Sequence, residues 1–147
     1  MGQHILSSTW LPFREALIAP LETMCRLFYN GDPRGAWEEA RFAADTELHG
    51  IYKVFIRIAT PDFLMRNSSM ILGSYFSDAE LKIVESTKQM IRLRIHKVEL
   101  PHVLFDNLAC GWIEQALEIC GCKKLQVAVV QSAMQNKAFT EILITWE

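Results

Sequence analysis

Apolar and polar positions follow two different periods along this chain, and the change falls near residue 80. From Leu11 to Asn30 the apolar residues Phe13, Leu17, Leu21, Met24, Cys25 and Phe28 recur at helical spacing, with Arg14, Glu15, Glu22 and Arg26 largely off that stripe. Pro20 lies inside this amphipathic helix. Having no N–H to give the ladder, it is expected to kink the helix or split it into two, and Asn30-Gly31-Asp32-Pro33 stops it. A second helix is predicted from Ala36 to Leu48, with Glu38 and Glu39 in its first turn and Gly50 near its end. The run Ile51 to Ala59 has strand-like β-branched content but reads as a buried helix continuing the array. Thr60-Pro61-Asp62 then starts another helix, with Thr60 as N-cap and Pro61 at the first helical position; it runs to Leu72 and stops at Gly73.

Beyond residue 80 the period shortens. Leu81–Ser86 and Ile91–His96 read as two strands joined by a turn at Thr87-Lys88-Gln89, and the second alternates apolar and polar residues, as a half-buried strand does. After Pro101 the residues Phe105, Leu108, Ala109, Trp112, Ala116, Ile119 and Cys120 form a helical stripe opposed by Asp106, Glu114, Gln115 and Glu118, with Gly121 as C-cap. A second hairpin follows, from Leu125–Val130 and Phe139–Trp146. The predicted fold is α+β, an N-terminal helical half packed on a C-terminal four-stranded antiparallel sheet in ββαββ order. One domain is expected, with a tail over 1–10, the helical half over 11–76 and the ββαββ half over 80–147.

Composition narrows the function classes. Half of the 147 residues are hydrophobic and only 22% are charged, so apolar surface is expected to remain for a pocket or a subunit interface. A net charge of −2 gives no electrostatic footprint for nucleic acid or anionic lipid. Charged residues interrupt every apolar stretch before it reaches the length of about 18 residues needed for a membrane span. With no basic and apolar leader at the N-terminus, the chain is expected to be cytoplasmic and its four cysteines reduced.

Three segments carry a resemblance. They are Thr60-Pro61-Asp62-Phe63-Leu64-Met65-Arg66-Asn67; Pro101 leading to Gly111-Trp112-Ile113-Glu114-Gln115-Ala116-Leu117-Glu118 and Gly121; and the closing Ile144-Thr145-Trp146. Their order resembles an uncharacterised bacterial family abundant in myxobacteria. That family is in turn similar to the superfamily of haem nitric-oxide-binding domains, vinyl-reductase-type ligand-binding domains and small subunits of the Golgi transport particle. The resemblance implies a helical subdomain on an antiparallel sheet, often with an apolar cavity between them, and a regulatory or assembly role. The haem nitric-oxide-binding domains carry a Tyr-x-Ser-x-Arg signature for the haem propionates. This chain has no such triplet, so no cofactor is expected.

The motifs of catalysis are missing. No Gly-rich phosphate loop or G-x-S-x-G elbow occurs, and His4, His49, His96 and His102 are scattered over different elements. Cys120-Gly121-Cys122 is a single pair without the second pair that a zinc site needs, and it lacks C-x-x-C redox spacing. Arg92, Arg94 and His96 share one strand face, where side chains two apart lie about 7 Å from each other; they form either an anion-binding stripe or a solvated sheet face. Tyr52, Arg57, Arg66, Asn67 and Tyr75 stand in or just after the most apolar helical stretch, where a polar group must be paired or face a cavity. These five are the candidate ligand contacts. The sequence therefore points to a non-enzymatic, sensor-like domain binding a small apolar or amphipathic ligand between helices and sheet. The alternative is an interaction module burying the face of Phe13, Leu17 and Leu21, or the strand ending at Trp146, in a homodimer. A small enzyme using Cys or His chemistry is the weaker alternative.

Overall fold

The computed structural model describes residues 12, 14–49, 58–75, 79–98 and 101–147, the side chains of 71–75 excepted. Elements are numbered as they come. A π-helical turn over Arg14–Ile18 runs straight into α1, Ala19–Phe28, so the chain solves the Pro20 problem by changing helix type in front of it: Pro20 occupies the opening turn of α1, where its missing N–H costs no ladder bond. Asn30 and Gly31 take left-handed conformations to turn the chain, with φ of 52° and 80°.

Helix α2 spans Arg34–His49, two residues earlier than the periodicity suggests. Asp32, whose side chain accepts the Arg34 N–H at 2.9 Å, opens it, while the Gly31 N–H returns to the Cys25 carbonyl at 2.9 Å and closes α1. Glu38 and Glu39 consequently lie beyond the first turn. The Ile51 to Ala59 run lies outside the described residues up to Arg57. Helix α3, Pro61–Tyr75, starts as read from the sequence, with the Phe63 N–H donated to the Thr60 hydroxyl at 3.2 Å. It passes through Gly73 instead of stopping there; an interior glycine costs a helix only about 1 kcal/mol.

The sheet contains β1 (Glu80–Ser86), β2 (Met90–His96), β3 (Gln126–Gln131) and β4 (Phe139–Thr145), all antiparallel in the order β1-β2-β4-β3. Ile91, Leu93 and Ile95 of β2 stand beside Ile144, Ile142 and Thr140 of β4, and all six are buried. That face forms the floor of the core, and full burial of each Ile or Leu side chain contributes about 1.5–3 kcal/mol.

Helix α4, Val103–Ile119, lies on this floor and is covered on its other side by α2. Here the structure corrects the one-stripe reading. Asp106, Cys110, Gly111, Ile113 and Leu117 are buried along with Phe105, Ala109 and Ala116. Each residue of the expected polar face has a protein partner. Glu114 accepts from the Trp37 indole at 2.6 Å and pairs with Arg41 at 2.7 Å, Glu118 pairs with Arg41 at 2.8 Å, and Gln115 donates to Asp45 at 2.9 Å. Small residues on α2, Gly35, Ala36, Ala40 and Ala44, are buried, and Gly111 comes so near that a Cβ there would lie 2.1 Å from the Trp37 carbonyl oxygen. Gly121, at φ 95°, closes α4 as expected, and the Cys122 N–H returns to the Leu117 carbonyl at 3.1 Å. No helix among the described residues is long and apolar enough to cross a membrane.

Candidate functional site

The π-turn and α1 approach the sheet and the α2–α4 pair without closing on them. A cavity of about 450 Å³ remains. Its walls come from every layer: Ala16, Leu17, Pro20, Leu21 and Met24 from the N-terminal helix, Glu39, Ala40, Ala43 and Glu47 from α2, Ser68 from α3, Leu81 and Ile95 from the sheet, and Phe105, Leu108, Ala109, Trp112 and Ile113 from α4. The helical period explains the α2 contribution, because Glu39, Ala43 and Glu47 are successive members of one i, i+4 ridge. Alanines at 40 and 43 leave room that larger side chains would fill.

The lining is apolar apart from three residues. Ser68 is buried and donates its hydroxyl to the Met65 carbonyl at 2.6 Å. Glu39 is exposed, and Glu47 is half-buried, accepting from the Trp112 indole N–H at 3.3 Å. No Arg, Lys, His or Cys stands among the described lining residues.

The candidates from the sequence fall elsewhere or are not described. Arg66 is exposed and paired with Asp62 one turn back, Nε to Oδ2 at 2.7 Å, and Asn67 is exposed and donates to the Phe63 carbonyl at 2.8 Å. Neither belongs to the cavity lining. Tyr52 and Arg57 lie outside the described residues, and Tyr75 ends α3 with its side chain outside the description. The residues that sequence reasoning passed over are Ala43, Glu47 and Trp112, whose signal was only a small residue and a carboxylate one turn apart on a helix.

On the outer face of the sheet, Arg92 and Arg94 converge on Glu141, at 2.8 and 2.6 Å, and Arg92 also pairs with Glu85 at 3.4 Å. The two guanidinium groups hold the Glu141 carboxyl below the usual carboxylate range. The Arg94 guanidinium also lies over the Phe139 ring at 4.4 Å, and His96 packs on the same ring. The stripe is thus occupied by the protein's own groups.

A second polar cluster lies at the start of α4. Asp106 is buried and accepts from the hydroxyls of Ser132 and Thr140, which tie α4 to the β3–β4 connection and to β4 itself. Burial pushes its carboxyl up, and the two hydroxyls counter this in part. His102 caps the same helix, its Nδ1 accepting the Leu104 N–H at 3.1 Å while Nε2 lies 3.3 Å from Glu22 of α1.

The thiols are quiet. Burial pushes Cys110 up to about 12 and Cys120 up to about 11. Cys120 and Cys122 are both half-buried. Among the described residues no three His, Cys, Asp or Glu side chains converge as metal ligands would.

No protein-family model matches the sequence, and no curated protein resembles it in sequence. Solved structures do share the fold. An H-NOX protein from S. oneidensis, in the Fe(II)NO ligation state, superposes with a TM-score of 0.74 at 11% identity, over 99% of this chain and 81% of that one. The phenol-responsive sensory domain of the transcription activator PoxR, with phenol, gives 0.62 at 9% identity over 94% and 76%. Subunit 3 of the trafficking protein particle complex from Naegleria fowleri, covalently bound to palmitic acid, gives 0.56 at 13% identity over 88% and 82%. At these identities the likeness is one of fold, and the fold is the one that H-NOX domains and this trafficking subunit have in common, as the motifs in the sequence implied.

Proposed function

We propose that this chain is a non-enzymatic, sensor-like domain that binds a small, mostly apolar ligand in the cavity between its helices and its sheet. The cavity carries the reading. At about 450 Å³ it exceeds the lower bound of about 300 Å³ typical of ligand sites, and its apolar walls with a few polar groups follow the usual composition of such sites. Its walls belong to the helical half and the sheet half together. A ligand there stabilises one seating of α1 and α2 on the sheet, by RT ln(1 + [L]/Kd), and so alters what the surface offers to a partner. Neighbours of the same fold whose structures hold phenol or palmitic acid support the reading by analogy.

Haem, which the H-NOX likeness brings to mind, finds little to hold it among the described lining residues. Haem iron takes His, Cys, Met or Tyr ligands. Among the described lining residues Met24 is the one candidate, and no Arg or Lys is there to meet a propionate.

The test is a titration with Nile red, a neutral apolar fluorophore. A saturable one-to-one rise in emission is expected, together with its loss in Ala43→Phe, which fills the space on α2 while the fold survives by circular dichroism. Emission that never saturates, or that Ala43→Phe leaves intact, refutes the proposal.

A second reading has its own observation. Phe63 and Met70 lie two turns apart on α3 and are 59% and 75% exposed. This supports a homodimer or partner contact through α3, whereas Leu17 and Leu21 line the cavity and Trp146 packs on the core. Sedimentation of the wild type and of Met70→Glu tests it. A wild type that is monomeric at every concentration removes the homodimer.

A further inference from the structure

We infer that the turn between α1 and α2 is a membrane-surface anchor: its tip, Leu27-Phe28-Tyr29, enters the interface of a lipid bilayer while the body of the domain stays outside. The anchor stands apart from the ligand-binding reading and does not depend on it.

Phe28 continues the helical stripe of Leu17, Leu21 and Met24. Those three line the cavity, whereas the Phe28 side chain stands in solvent. Every residue from Arg26 to Asp32 is exposed, Leu27 by 66%, Phe28 by 77% and Tyr29 by 37%. The turn that presents them is firmly bonded. The N–H groups of Tyr29 and Gly31 both return to the Cys25 carbonyl at 2.9 Å, the Asp32 N–H goes to the Tyr29 carbonyl at 2.9 Å, and Asn30 and Gly31 take left-handed conformations. The Tyr29 ring lies against Gly35 of α2, so close that a Cβ there would meet its Cδ2 at 2.7 Å. A tip held in this way loses little conformational freedom when it binds.

Size, shape and charge select the occupant. At about 200 Å² for each full side chain, the three exposed fractions amount to roughly 350 Å². A stable dimer takes about 800 Å² from each partner, so two such tips meeting would supply less than half of what it needs. A bilayer interface demands no matching contour and admits a narrow apolar point. The three side chains suit its layers, with Leu27 and Phe28 for the acyl boundary and Tyr29, a ring with a polar tip, for the headgroup level. Two exposed arginines, Arg26 on α1 and Arg34 on α2, flank the tip, and Asp32 is the one carboxylate between them. The overall charge of −2 is therefore not carried at this end of the molecule, and the flanking guanidinium groups can meet lipid phosphates while their stems lie along the interface.

The experiment sediments the full chain with phosphatidylcholine vesicles at millimolar lipid, and with vesicles that also contain phosphatidylserine. The wild type is expected to partition onto phosphatidylcholine vesicles. Phe28→Ser should lower that partitioning by at least about tenfold, the low end of what losing a buried phenylalanine costs. The control is Phe42→Ser. Phe42 is 69% exposed on α2 but about 12 Å along that helix from Arg34, and its loss should leave binding unchanged. Circular dichroism certifies the fold of both variants. A wild type that stays in the supernatant with both kinds of vesicle overturns the inference. So does binding that survives Phe28→Ser, or that falls equally in Phe42→Ser. A dimer that dissolves in Phe28→Ser, with no protein on the vesicles, overturns it in favour of a second copy of the chain as the occupant. The cavity reading is tested by Nile red without lipid and stands or falls separately.

Discussion

Replacing Gly111 by alanine should destabilise this protein, although the same change on an exposed helix stabilises by about 1 kcal/mol. The reason is the closeness of α2 and α4. An alanine Cβ at position 111 would stand 2.1 Å from the Trp37 carbonyl oxygen, and reaching even 3.0 Å requires the two backbones to part by about 0.9 Å. The obstacle is main chain, so no rotamer change removes it. Overpacking of this kind costs about 1–3 kcal/mol, and a rigid obstacle belongs at the top of that range. Subtracting the helix-propensity gain leaves a net loss of about 2 kcal/mol. Parting the helices also strains the Trp37–Glu114 and Arg41–Glu114 contacts, which cross the same interface. With a urea dependence of about 2 kcal/mol per molar, the unfolding midpoint should fall by about 1 M. Gly35→Ala is the control. There a Cβ meets side-chain atoms instead of main chain, Tyr29 Cδ2 at 2.7 Å and the buried Cys25 Sγ at 2.8 Å, which can give way in part, so its loss should be smaller than that of Gly111→Ala. A Gly111→Ala protein as stable as the wild type would refute the packing of α2 against α4, and with it the α2 wall of the cavity.

Two further outcomes follow from the buried groups. The Asp106 carboxyl is raised above its ordinary 3.8 by burial, so the folded state holds a proton more firmly than the unfolded chain does. Its contribution to stability is therefore greatest at low pH and is lost as pH rises from 3.8 through the raised native value. Urea unfolding across that window should show the wild type losing stability relative to Asp106→Asn as pH rises, and a gain would contradict the assignment. The thiols should resist iodoacetamide at pH 8. Cys120, pushed up to about 11, is then only about one-thousandth thiolate, and its alkylation should be at least about tenfold slower in the native protein than in urea, as peptide mass spectrometry would show.

Much of the architecture was legible from local physics. Thr60-Pro61-Asp62 and Gly121 act through bonds made within a few residues, and the helices beside them began and ended as those residues dictate, while the alternation over Ile91–His96 showed which side of β2 would be buried. Pro20 announced a break but not its form, because a π-turn is one of several ways to accommodate a missing N–H. What stayed hidden depended on distant partners. Asp106, Glu114, Gln115 and Glu118 share the polar side of α4, and the sequence gives their angle on the helix but not that α2 and the β3–β4 connection cover them. The cavity is harder still, since Leu17, Ala43, Ile95 and Ala109 meet only in the folded chain. Arg66 and Asn67 illustrate the converse: polar residues in apolar company can be satisfied by their own helix, one turn back.

The central claim is that the space between helices and sheet takes up an apolar molecule. The most direct measurement is a methyl-labelled nuclear magnetic resonance titration of the full chain with decanol. Saturable one-to-one shifts should concentrate on Leu17, Leu21, Ile95 and Ile113, which line the cavity from three different layers. Shifts that fail to saturate, or that centre instead on exposed Leu27 and Met70, would contradict it.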